Sequence, residues 1–377
     1  MIADEVRLMI LQRIKKFLQQ ETVLCAAMFL GITSSFWYTP KISYIDFEVL
    51  SILLALMLVV AGLKSVKFLD WIAVQLLKQC QDFRAVAFAL VGITYVSSMF
   101  VTNDVALITF VPLALIVGKT LKLDMGTIII YQTLAANLGS MFTPPGNPQN
   151  LFLFSHYHYT TWGFFKVMLV PTILALVYLG VLIYRKPAKA LTLELPELDK
   201  PDTNKTPIYL LLLLLNICAV LHVFNKYLAL GVTVLVVLAL QRRLLKQVDY
   251  SLLLTFVGFF VFIGNISHSA WVLSVRESFL GTPQGTYLAA LVASQFISNV
   301  PAAMLLAGLT NEADALLLGV NIGGLGTLIA SMASVISYKL FVAEHPYQAA
   351  TYLKTFLFYN VAGLVIIGGG MYLVWFS

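Results

Sequence analysis

Ser98-Met-Phe-Val-Thr-Asn103-Asp104 and Ser294-Gln-Phe-Ile-Ser-Asn299-Val300 are the two stretches on which the fold turns. Each sits in the middle of a long run that is nearly free of charge. Between Arg84 and Lys119 lie 34 residues whose only charge is Asp104, and between Glu277 and Glu312 lie 34 with none. As a single helix, such a run would be about 51 Å long, too long for a hydrocarbon core of about 30 Å. As two full spans it falls short of the ~40 residues plus a turn that two crossings need. The sequence therefore predicts two re-entrant hairpins, 85–118 and 282–310, that enter to mid-depth and turn at their polar residues. Thr102-Asn103-Asp104 form the first tip, and Ser298-Asn299 followed by Pro301 form the second. Irregular backbone at that depth survives only when buried in protein or lining a wet cavity, so the tips are also candidate binding sites.

Composition sets the solvent. The chain is 60% apolar and only 11% charged, with a mean hydropathy of +0.88, where soluble domains carry about 25% charge. Spans are expected near 22–38, 47–66, 125–155, 164–184, 207–224, 227–241, 250–268, 313–338 and 355–376, with interfacial helices at 69–80 and 269–280. Residues 1–21 read as an amphipathic helix on the membrane surface. Most Lys and Arg fall on one side of this map, among them Arg13, Lys16, Lys64, Lys78, Arg84, Lys119, Arg185, Arg242 and Lys246. By the positive-inside rule the N-terminus is cytoplasmic and the C-terminus outside, in a cell (inner) membrane. The same asymmetry accounts for the net charge of +6 without nucleic acid. Cys25, Cys80 and Cys218 are scattered and suggest neither disulfides nor zinc.

The two halves repeat. Asn137-Leu-Gly-Ser-Met-Phe-Thr143 matches Asn321-Ile-Gly-Gly-Leu-Gly-Thr327, and Asp46 and Asp249 open equivalent helices. The first repeat is read as 22–184 and the second as 207–377, joined by a cytoplasmic linker, 185–206. Five spans separate the hairpins, an odd number, so the repeats are expected to be inverted. Within 125–155 the run Gly139-Ser-Met-Phe-Thr-Pro-Pro-Gly-Asn-Pro-Gln-Asn150 cannot continue a helix. Gly323-Gly-Leu-Gly-Thr327 breaks 313–338 in the corresponding place. Unwinding frees carbonyls that can coordinate Na⁺ and half-helix N-termini that favour anions. The tips also read as ordinary N-caps, a role compatible with binding. Asp104 reads equally as a cap or as a proton or cation carrier. His156, His158 and His268 read as interfacial residues, within a belt that includes Trp37, Tyr157, Tyr159 and Trp162.

Asn103-Asp104, Thr143-Pro-Pro-Gly-Asn-Pro-Gln-Asn150 and Ser298-Asn299-Val-Pro301, in this order, resemble the ion-transporter superfamily of citrate-transporter-like permeases, divalent anion:sodium symporters and arsenite permeases. The resemblance runs from about 22 to 376. It implies a homodimer with a scaffold domain and a transport domain that moves like an elevator. It also implies solute contacts at Thr102, Asn103, Asp104, Pro145, Gly146, Asn147, Ser298, Asn299 and Val300. Coupling ions such as Na⁺ would sit near Ser98, Asn103, Asn137, Gly139, Thr143, Asn147, Ser294, Asn299, Asn321, Gly323 and Thr327. The third tip position, Asp104 or Val300, departs from the Ser-Asn-Thr of the symporters and is closer to the arsenite-permease branch. The expected function is secondary transport of a small anion or oxyacid, carboxylate- or arsenite-like, coupled to Na⁺ or H⁺. A Na⁺/H⁺ antiporter of the same superfamily is the alternative. No HExxH, GxSxG or pair of intramembrane aspartates suggests an enzyme, and no cofactor beyond the coupling ion is expected.

Overall fold

The computed structural model describes residues 21–191 and 199–376, except 268, 270, 271, 273 and 275–278. The amphipathic segment expected at 1–21, most of the interfacial helix expected at 269–280, and His268 thus lie outside the described residues. The described chain is helical, and its one β-bridge is isolated, between Asp82 and Ala190.

The first half holds α1 (Thr22–Ser34), α2 (Phe47–Ser65) and the short amphipathic α3 (Phe68–Leu77). Next come α4 (Phe83–Val101), α5 (Asn103–Leu121), α6 (Gly126–Ser140), α7 (Pro148–His156) and α8 (Thr161–Tyr184). The second half runs through α9 (Lys205–Val220), α10 (Lys226–Gln241), α11 (Tyr250–Ile266), α12 (Pro283–Ile297), α13 (Asn299–Ala307), α14 (Ala313–Ile322) and α15 (Met332–Glu344). It ends in α16 (Ala349–Gly363), which continues through a π turn over Leu364–Gly368 into α17 (Gly369–Phe376).

Local chemistry opens the two helices that the sequence pairs, while α15 runs on to Glu344 and α16 begins at Ala349, beyond the expected ends at 338 and 355. Asp46 accepts a hydrogen bond from the Val49 amide to open α2, and Asp249 accepts one from Leu252 to open α11. Their backbones match as well, at φ −80°, ψ 90° and φ −79°, ψ 83°. The broken segments are as expected: α6 and α7 are separate helices, as are α14 and α15.

Both charge-poor runs reverse on themselves, and single side chains prove it. Gln132 Nε2 donates to Thr94 Oγ1 and to the Phe110 carbonyl, each at 3.2 Å. Thr94 and Phe110 stand eight residues either side of Thr102. On a continuous helix they would be about 24 Å apart. In the second run Thr286 and Thr310 hydroxyls meet at 3.1 Å, twelve residues either side of Ser298. Both therefore are hairpins of antiparallel helices.

The hairpins are unequal in length, which the charge count does not predict. The first spans Phe83–Leu121 with two arms of 19 residues, about 28 Å each. Both arms are long and apolar enough to cross a membrane. Arg84 and Lys119 do not end them. Asp82 caps the Ala85 amide one turn outside the apolar run, and the left-handed Lys122 (φ 52°) ends α5. Arg84 meanwhile donates to the Lys186 carbonyl at 2.8 Å and lies 5.0 Å from the centre of the Tyr184 ring. The second hairpin has arms of 15 and 9 residues, about 22 and 13 Å, and only this one is short.

The broken helices form the centre. Every residue of α6 except Thr127 is buried, as is α14 from Ala315 onward. A helix apolar all round belongs inside other helices. Large apolar side chains on α8, α9 and α10, such as Leu176, Leu211 and Leu235, are exposed and form the outer surface. Hairpin and broken helix meet through glycine. A Cβ on Gly139 would come within 2.3 Å of the Tyr95 carbonyl, and one on Gly319 within 2.8 Å of the Tyr287 carbonyl. Backbone cannot yield as a side chain can. Gly139→Ala is therefore expected to cost on the order of 1–3 kcal/mol and to lower the Tm of the detergent-solubilised protein. An unchanged Tm would mean that α4 and α6 are not in close contact.

Candidate functional site

Each hairpin turns at one residue. Thr102 (φ 71°, ψ 152°) and Ser298 (φ 72°, ψ 154°) adopt the same backbone conformation, one that is nearly reserved for glycine. Neither side chain caps the helix that follows. The reading of these residues as side-chain N-caps is thus corrected: they are the turns themselves, strained by roughly 1–3 kcal/mol each. Pro301 is likewise the third residue of α13, where its missing N–H still needs no partner.

The breaks also share a plan. In the first, Thr143 is extended, Pro144–Gly146 form one 3₁₀ turn, and Asn147 (φ −153°, ψ 158°) opens α7. In the second, Thr327 is extended, Leu328–Ala330 form one 3₁₀ turn, and Ser331 (φ −145°, ψ 136°) opens α15. Asn147 lies ten residues after Asn137, and Ser331 ten after Asn321.

These equivalent residues bond across the halves. Ser331 Oγ donates to Asn137 Oδ1 at 2.8 Å, and Asn137 Nδ2 donates to Ser334 Oγ at 3.3 Å. In return, Asn147 Nδ2 donates to Asn321 Oδ1 at 3.1 Å, and Asn321 Nδ2 to Asn150 Oδ1 at 2.6 Å. In each half the asparagine before the break grips the residues after the other half's break. The contacts are thus reciprocal between the two breaks. One turn further out, Thr133 donates to Ser337 at 2.7 Å. The pairs Thr133–Ser337 and Asn137–Ser334 run in opposite chain directions, so α6 and α15 are antiparallel.

The tips join this lattice. Asn103 Nδ2 lies 3.4 Å from Asn137 Oδ1. Asn137 continues through its carbonyl to Ser140 Oγ (3.0 Å), then to Asn147 Nδ2 (3.2 Å) and so to Asn321. Asn299 Nδ2 stands 2.8 Å from the point where a Gly324 Cβ would sit, beside the second break. Asn103, Asn137, Asn147, Asn299 and Asn321 are all buried. Thr143 and Thr327 each donate a hydroxyl to the opposite hairpin arm, at the Met99 and Gln295 carbonyls respectively. Ser98 and Ser294 bond within their own helices and face Gly139 and Gly323. Pro145 and Gly146 are buried in the first break, whereas Thr102 and Val300 are half-buried.

Three buried oxygens have no hydrogen-bond partner here: Asp104 Oδ1 and Ser298 Oγ at the tips, and Gln149 Oε1 at the first break. Leaving such an atom unmatched costs about 1–3 kcal/mol. Asp104 Oδ1 therefore holds no backbone N–H. Outside this centre, Tyr159 donates to Asp314 at 2.6 Å and Lys226 pairs with Glu48 at 2.6 Å. Sequence reasoning missed Thr133, Ser140, Asn150, Gln295, Ser331, Ser334 and Ser337. Counting ten residues on from Asn321, as Asn147 stands from Asn137, would have found Ser331.

The model of the citrate transporter family matches residues 8–336. The chain belongs to this family. Among curated proteins, this family member is 32% identical to an uncharacterized transporter of Methanocaldococcus jannaschii, over 78% of this chain and 81% of that one. It is 28% identical to the inner membrane protein YbiR of Escherichia coli K12, over 86% of this chain and 88% of that one. Among solved structures it resembles the YdaH transporter of Alcanivorax borkumensis, with a TM-score of 0.59 over 94% of this chain and 97% of that one. Identity there is 14%, so that likeness concerns the fold alone. The resemblance to the ion-transporter superfamily holds, and this citrate transporter family member is a multi-pass membrane protein.

If the turns store strain, Thr102→Gly and Ser298→Gly will match or exceed the parent Tm, because glycine adopts this conformation freely. A fall of several degrees in both would show that no strain resides there.

Proposed function

We propose that this citrate transporter family member is a secondary active transporter of a small anion or oxyacid, carboxylate- or arsenite-like, driven by a Na⁺ or H⁺ gradient. The observation that carries this reading is the meeting of two strained tips and two helix breaks in one cross-bonded polar centre. Four helices, α5, α7, α13 and α15, begin there. Their first N–H groups have no intrahelical acceptor, and their dipoles favour negative charge. The unmatched Ser298 hydroxyl and Gln149 carbonyl stand beside them and can complete the solute's contacts. Thr102, Asn103, Pro145, Gly146, Asn147, Ser298, Asn299 and Val300 form the solute-binding set, with Asp104 at its edge as proton carrier.

The antiparallel pairing of α6 with α15 supports an inverted relation between the halves. That relation lets a central site face either side of the membrane in turn. The base of the first hairpin is tied to the linker through Asp82–Ala190 and Arg84–Lys186. This supports a cytoplasmic opening for that hairpin, with the C-terminus outside. The homodimer and the elevator-like motion complete the reading by family resemblance.

Proteoliposome flux tests it. Labelled anion uptake should follow a Na⁺ or pH gradient, and Asn103→Ala or Asn299→Ala should each cut it about tenfold or more at unchanged expression. Normal uptake in both variants would remove the tips from the mechanism. Na⁺-dependent proton release without any anion would indicate antiport instead. Asp104→Asn should abolish the pH dependence of uptake, and an unchanged profile would exclude that carboxyl as the carrier.

A further inference from the structure

Each break gathers main-chain carbonyls around one nitrogen. In the first, Asn150 Nδ2 lies 3.3, 3.0 and 3.1 Å from the carbonyl oxygens of Ser140, Met141 and Thr143. In the second, Gln295 Nε2 lies 2.8 and 3.0 Å from those of Gly323 and Leu325, and 3.1 Å from the Leu291 carbonyl of its own helix. The reverse amide orientation would set oxygen against three carbonyls. It would also lose the bonds that fix the other end, from Thr327 N to Gln295 Oε1 (2.9 Å) and from Asn321 Nδ2 to Asn150 Oδ1 (2.6 Å). The chain of the second break is shaped to its glutamine. Gly326 has φ 103°, and a Cβ there would come within 2.2 Å of Gln295 Oε1.

Converging carbonyls are the ligands a hard cation takes, and the family resemblance places Na⁺ at these breaks. The residues present do not fit that ion. An NH₂ group fills the middle of each cluster and shares its two N–H bonds among three acceptors. We infer that Asn150 and Gln295 are built-in substitutes for a cation, so that neither of these two carbonyl clusters is a Na⁺ site. The inference deepens the transporter reading and rests on it for its meaning in coupling.

Purified full-length protein is titrated with NaCl against choline chloride at constant ionic strength, and Tm is followed. The parent and Asp104→Asn should show no Na⁺-specific shift. Gln295→Glu exchanges the donor for an oxygen ligand and should gain a saturable, Na⁺-specific rise of about 3 °C. Gln295→Met, the residue found at the equivalent position 99, bares the Gly323 and Leu325 carbonyls and should lose Tm and regain it with Na⁺. If Gln295→Glu does not fold, the parent and Gln295→Met decide the matter. A Na⁺ shift in the parent that persists in Asp104→Asn overturns the inference. So does a pair of Gln295 variants that respond no more than the parent. A parent shift lost in Asp104→Asn places the ion at that carboxyl and leaves both clusters sealed, as inferred. The readout needs no flux, so failure of the transporter reading would appear separately, in the uptake assay.

Discussion

A polypeptide that unwinds inside hydrocarbon must satisfy its own backbone, since no water is there to do so. This constraint organises the protein. Two helices, α6–α7 and α14–α15, stop and restart within the buried centre, and each interruption frees carbonyls and amides together. Several buried polar side chains answer those groups. Asn150 takes three carbonyls at the first break, Gln295 takes those of Gly323 and Leu325 at the second, and Asn147 accepts the Asn150 amide to restart α7. The hairpins exist to deliver such side chains and to cover the breaks from both sides.

The parts visible in the sequence were those with a length or spacing consequence. A nearly charge-free run of 34 residues matches neither one span nor two, so the reversals at Thr102 and Ser298 were legible before any coordinates. Their lengths were not. Arg84 marks the end of the apolar run but not of α4, because a cap at Asp82 and the reach of a long side chain to Lys186 carry the helix past its own charge. The prolines and glycines of 139–150 announced the first break, while the second break contains no proline and was visible only by alignment with the first.

The centre was legible where the two halves use the same residue and obscure where they do not. Asn137 and Asn321 stand out as a pair. Their partners do not, because the position after the break is asparagine in one half and serine in the other. Both accept or donate across a 2.6–3.3 Å contact, so the geometry tolerates a change that hides the relation from the eye. Gln295 was hidden more deeply. Its equivalent is Met99, and its function belongs to the second break alone, because the first is served by Asn150 from within its own helix.

That asymmetry has a mechanical meaning. The amide that closes the first break lies on α7, a few residues along the same chain, so it travels with the break it fills. The amide that closes the second lies on α12, an arm of the hairpin, and keeps its place only while hairpin and break stay together. Any opening between them would bare the Gly323 and Leu325 carbonyls in a medium without water, at a cost of about 1–3 kcal/mol for each group. The hairpin is thus held shut by the main chain it satisfies. Thr327 adds two further bonds to Gln295, and the strained turn at Ser298 sits one residue before Asn299. Four hydrogen bonds thus tie the second break to Gln295, three residues before the positive-φ turn at Ser298.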